Sequence, residues 1–135
     1  MRMKIMIWVV AISLALASCG GVSAPTTTID VTMTDFQFSP SAFTVPAGEQ
    51  ITLKSTNSGA VIHNFIIMNL GYNVGNEFDE EDLENVYWKL EITPGGATET
   101  NFTAPGEPGE YEIVCSTPGH VQAGMLGTLN VVEAE

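Results

Sequence analysis

Basic residues are scarce: four Lys and Arg stand against 16 Asp and Glu in 135 residues, a formal charge of −12. Nucleic acid is thereby excluded as a partner, because its phosphates call for a basic surface; the balance suits a cationic partner or plain solubility. Histidine is scarcer still, with only His63 and His120, so an oxidase or reductase needing several metal centres has no ligands to build them. Cysteine is limited to Cys19 and Cys115, too few for a disulfide-stapled scaffold. Long apolar runs are missing as well. The one candidate, residues 5–17, is 13 residues long, short of the ~20 that a membrane-spanning helix needs.

That run follows Met1-Arg2-Met3-Lys4 and precedes Leu16-Ala17-Ser18-Cys19, the pattern of an export signal with a lipobox. The expected processing removes residues 1–18 and lipidates Cys19. Residues 19–28, with Pro25 and three threonines, then form a tether, and residues 29–135 form one folded domain. The mature chain would keep 117 residues and lose Arg2 and Lys4, moving its formal charge to −14. Its expected location is the outer face of the cytoplasmic membrane or the periplasm. Cys115 would there be an unpaired thiol in an oxidising compartment, which calls for a protected or metal-bound role.

From Ile29 onward, apolar residues alternate with polar ones at Ile29/Val31/Met33, Phe36/Phe38, Phe43/Val45 and Ile51/Leu53, separated by turn signals such as Pro46-Ala47-Gly48. This is the period of half-buried strands. A denser apolar run from Val61 to Met68 contains His63 and reads as a central strand. Strands recur near Trp88–Ile92, Thr98–Phe102, Gly109–Cys115 and Gly127–Val132. The chain is thus expected to be all-β, a two-sheet antiparallel Greek-key sandwich of seven or eight strands. Between them, Gly71 to Glu84 breaks the pattern with an acidic cluster at Glu77, Asp79, Glu80, Glu81, Asp82 and Glu84, expected to be a surface excursion with a short helix through residues 81–88.

The chemistry concentrates in one segment. Cys115-Ser116-Thr117-Pro118-Gly119-His120-Val121-Gln122-Ala123-Gly124-Met125 carries a thiolate, an imidazole and a thioether. Two histidines and a cysteine with a distant axial methionine are the ligands of blue-copper electron-transfer centres, and His63, in the apolar run expected beside the Cys115 strand, supplies the second imidazole. Cuprous ion favours sulfur and cupric ion favours nitrogen, so a site held between the two preferences passes one electron with little rearrangement. One copper ion, cycling between Cu(I) and Cu(II), is the expected cofactor.

These residues resemble the cupredoxin family, in which a strand histidine followed by asparagine, here His63-Asn64, joins a Cys…His…Met loop near the C-terminus. The four-residue gaps on either side of His120 are most like those of the auracyanins, the membrane-associated blue-copper proteins of some phototrophic bacteria. Plastocyanin-type loops are shorter between Cys and His. The resemblance implies an electron carrier and not an enzyme, with Asn64 bonding the loop near Ser116 to steady the thiolate. It also implies that His120 breaks the surface in an apolar patch including Val121, Ala123 and Leu126. The acidic cluster of Glu77, Asp79, Glu80, Glu81 and Asp82 is expected to steer a basic redox partner, such as a c-type cytochrome or a membrane oxidoreductase complex. The carbonyl of Ile62 is a possible fifth ligand. A copper chaperone or storage protein is the alternative function.

Overall fold

The computed structural model describes residues 23–135; the expected export signal and the expected lipidation at Cys19 lie outside them. Nine strands follow in chain order: β1 Thr28–Thr34, β2 Gln37–Ser39, β3 Ala42–Pro46, β4 Gln50–Asn57, β5 His63–Met68, β6 Val86–Ile92, β7 Ala97–Thr103, β8 Gly109–Val114 and β9 Leu126–Val132. They form two sheets, ordered β2-β1-β4-β7 and β3-β9-β8-β5-β6. Alternating side chains from each sheet meet in between, with Val31, Met33, Ile51 and Leu53 facing Phe65, Ile67, Ile113 and Leu129, all fully buried.

The sheets are mixed: β1 runs parallel to β4, and β3 parallel to β9. Alternation reports which face a residue takes and carries no information about strand direction, so the sequence pattern could not distinguish these pairs from antiparallel ones. Thr26 donates its N–H to Thr44 O and Thr27 O accepts from Thr52 N, so the ordered edge of the domain begins before Ile29.

β5 is buried on both faces. Phe65 and Ile67 point into the core, while Ile66 and Met68 point outward into a second apolar cluster with Val74, Val114 and Val121. The 69–85 excursion covers that cluster with Tyr72 and Phe78. A short 3-10 helix, Glu81–Asn85, is its only helical turn, and β6 starts at Val86, so the expected helix stops three residues early. Asp82 is only 4% exposed. Its carboxylate accepts from Tyr72 Oη and Asp79 N, both at 2.7 Å, which folds the acidic stretch back on itself. Asp82 is therefore a structural residue and leaves the set expected to meet a partner. Among the described residues no helix is long and apolar enough to cross a membrane.

Candidate metal centre

β5 and β8 are antiparallel neighbours, with Ile67 opposite Ile113. His63 shares the inward parity of Phe65 and Ile67, and Cys115 that of Tyr111 and Ile113. The strands thus deliver an imidazole and a thiol to one end of the core. The loop after Cys115 is wound by backbone hydrogen bonds, His120 N to Thr117 O at 3.0 Å and Ala123 N to Gly119 O at 3.0 Å. It then returns, with Met125 N donating to His120 O at 2.9 Å and Cys115 N donating to Met125 O at 3.4 Å. Gly124 makes the return possible at φ 89°, a conformation that side-chain-bearing residues disfavour.

The result is a convergence of His63, Cys115 and His120, whose ligand atoms lie within 4.8 Å of one another. Cys115 Sγ is 3.8 Å from His63 Nδ1 and 3.3 Å from His120 Nδ1. A metal of zinc-like size bonds nitrogen at about 2.0–2.1 Å and sulfur at about 2.3 Å, so one ion can bridge each of these pairs through a bent angle. His63, Cys115 and Met125 are fully buried and His120 is 4% exposed. Burial holds the His120 pKa below the usual imidazole value, with His63 adding to the effect, so the ring keeps a free lone pair at neutral pH.

Partners outside the convergence fix its parts. Asn64 donates its backbone N–H to Cys115 Sγ at 3.3 Å and its side-chain amide to Thr117 Oγ1 at 3.4 Å. The Thr117 hydroxyl in turn donates to Ile62 O at 2.9 Å. The side chain that receives Asn64 is thus Thr117 and not Ser116, and the Ile62 carbonyl, expected as a possible ligand, is held by that hydroxyl. His63 Nε2 lies 2.8 Å from Asp35 Oδ1. Both oxygens of Asp35 accept from Ala60 N, at 3.3 and 3.0 Å. That backbone N–H is the main cause holding the Asp35 carboxyl below the usual carboxylate range, with His63 contributing in the same direction.

The segment from Ser58 to Ile62, which leads into His63, is shaped by Asn57. This fully buried amide donates to Val61 O and Ile92 O at 2.8 Å each and accepts from Gly59 N at 2.9 Å. Asp35, Asn57 and Thr117 escaped the sequence reading. Their only signal was polar identity beside a turn, which many other positions share.

The surface also differs from expectation. Val121 is buried in the outer apolar cluster and so leaves the expected docking patch, Leu126 packs half-buried against that cluster, and Ala123 is exposed. Nor does His120 break the surface directly: Phe36, 47% exposed, meets its ring edge-on at a centroid distance of 4.8 Å. The exposed apolar residues beside the site are Phe36, Val61 and Ile62. Glu77 sits against the metal loop, accepting from Gln122 Nε2 at 3.4 Å.

Residues 25–132 match the family of copper binding proteins described as the plastocyanin/azurin family. The chain is 28% identical to auracyanin-A of Chloroflexus aurantiacus, covering 89% of this chain and 91% of that protein. It is 30% identical to the copper-resistant cuproprotein CopI of Rubrivivax gelatinosus, over 77% of this chain and 66% of that protein, so the chain spans about two thirds of that relative. The crystal structure of dithionite-reduced auracyanin from the photosynthetic bacterium Roseiflexus castenholzii superposes with a TM-score of 0.69 at 30% identity, over 81% of this chain and 99% of that one.

Proposed function

The chain belongs to the plastocyanin/azurin family of copper-binding proteins, the cupredoxins, with His63, Cys115, His120 and Met125 arranged as a single type 1 copper site, and we propose that it carries single electrons between redox proteins. The observation that carries this reading is the burial of one thiol and two imidazoles around a common point, each already oriented by a hydrogen bond or by packing. Copper held there supplies a reversible one-electron couple. The residues keep the thiolate and both lone pairs in place, exclude water and resist rearrangement between oxidation states.

Electrons would pass through the end of the molecule where Phe36 overlies His120 and where Val61 and Ile62 are exposed. Ala60, directly before Val61, is bonded to Asp35, directly before Phe36, so the two segments adjoin. Glu77, which sits against the metal loop, and Asp79, Glu80 and Glu81, which follow it in the chain, remain exposed. They fit the steering of a basic partner such as a c-type cytochrome or a membrane oxidoreductase complex, with attraction that weakens as salt screens it. The leader-like pattern of residues 1–18 fits export to the periplasm or the outer face of the cytoplasmic membrane, and Cys19 fits lipid anchoring; mass spectrometry of the mature N-terminus tests both.

The CopI relative favours a second reading, copper binding for resistance or storage. Burial of the ligands argues against it, since exchange with other carriers needs an accessible ion. The experiment is the visible spectrum of the copper-loaded, oxidised protein beside that of Cys115→Ser. An intense band that a mild reductant bleaches and the substitution abolishes is the expected result. Colourless copper, or colour that survives loss of Cys115, overturns the electron-carrier reading.

A further inference from the structure

Consecutive residues of the turn between β1 and β2 attend to different histidines, Asp35 bonding His63 and Phe36 packing on His120. We propose that Asp35 is a positioning residue of the copper centre, whose carboxylate fixes the tautomer of His63 and whose charge favours Cu(II) over Cu(I). The inference rests on the electron-carrier reading for its second half only.

The geometry requires the first half. A carboxylate can only accept, so the bond to Asp35 Oδ1 places the ring proton of neutral His63 on Nε2. Nδ1 is then left with its lone pair, and it is Nδ1 that faces Cys115 Sγ. Without the carboxylate the proton is free to sit on Nδ1, and the nitrogen facing the thiolate loses its lone pair. Metal-binding histidines are commonly held in this way by an acceptor on the far nitrogen, and loss of such partners lowers metal affinity by about 10–100-fold.

The carboxylate is placed independently of the histidine. Ala60 N–H binds both of its oxygens, and the loop carrying Ala60 is itself folded by buried Asn57. The approach is also cleared sterically: a Cβ on Gly59 would collide with Asp35 Oδ1 and stand 2.5 Å from His63 Nε2. Three separate features therefore converge on one hydrogen bond. A neutral carbonyl would serve equally well to set a tautomer, so the use of an acid adds a negative charge one ring away from the ion. That charge stabilises the more positive oxidation state. The Asp35 side chain keeps 31% of its surface in solvent, so the charge is sustained without full desolvation.

The two effects separate experimentally. On the apo-protein, long-range proton–nitrogen correlation spectra in the neutral-imidazole range should show His63 protonated at Nε2. Asp35→Ala should give mixed tautomers and a copper affinity about tenfold lower or worse by chelator competition, and Asp35→Asn should restore the tautomer. Gly59→Ala, which leaves both partners in the chain, should mix the tautomers like Asp35→Ala. On the copper-loaded protein, Asp35→Asn should retain the visible band and shift the midpoint potential upward. Unchanged His63 tautomers in Asp35→Ala would overturn the positioning role, and an unchanged or lowered potential in Asp35→Asn would overturn the role of charge. Wild-type protein lacking the thiolate band would sink the electron-carrier reading instead, while the apo-protein spectra would still decide whether Asp35 sets the tautomer.

Discussion

The backbone N–H of Asn64 points at the Sγ of Cys115 from 3.3 Å, while the side chain of the same residue holds Thr117. One residue on β5 therefore grips both the sulfur and the loop that leaves it. Thr117→Val keeps the shape and removes the hydroxyl through which Asn64 and Ile62 O are joined. A hydrogen bond of this kind contributes about 1 kcal/mol, so the apo-protein should melt about 4 °C lower by circular dichroism, and loaded protein should release copper to a chelator faster.

Asn57 has a larger role. Asn57→Ala abandons the carbonyls of Val61 and Ile92 and the N–H of Gly59 in one step. Of these partners Ile92 O is the buried one, and leaving a buried group unpaired costs about 1–3 kcal/mol, so denaturant titration should show a loss of at least about 1 kcal/mol. A loss below 1 kcal/mol would mean that water replaces the amide.

Met125→Leu conserves volume at a fully buried position, so stability should fall by less than about 1.5 kcal/mol. The variant removes a weak donor whose lone pair offsets more of the charge of Cu(II) than of Cu(I), and because the bond is weak this outweighs the cuprous preference for sulfur. Its visible band should persist and its midpoint potential should rise, as read by redox titration.

Alkaline pH should act through Tyr72. Its hydroxyl donates to Asp82, and this hydrogen bond, with burial and the carboxylate's charge, raises its pKa above the usual 10.0. Folding thus favours the protonated phenol. The stabilisation is complete below the unfolded-state pKa and disappears as pH rises through the higher folded-state value. Tyr72→Phe should be less stable than wild type at neutral pH, and the gap should close as the pH rises past 10 in denaturant titrations.

Rare residue types made the ligands legible. With two histidines and two cysteines in the chain, few combinations were open, and strand parity put His63 and Cys115 on the same side. Asp35 was illegible for the opposite reason: it is one of 16 acidic residues, 28 positions from His63 and on a turn. Only the parallel pairing of β1 with β4 brings that turn beside Gly59 and Ala60. The acidic cluster failed similarly, because composition reports how many carboxylates a stretch has and not which one turns inward. Asp82 turned inward.

β1 begins at Thr28 and ends next to Asp35, and seven extended residues cover ~23 Å. Whatever precedes Thr28 consequently joins the body at the pole opposite the copper ligands. A domain moored by that end would hold its copper ligands away from the mooring, like a lamp on a stalk.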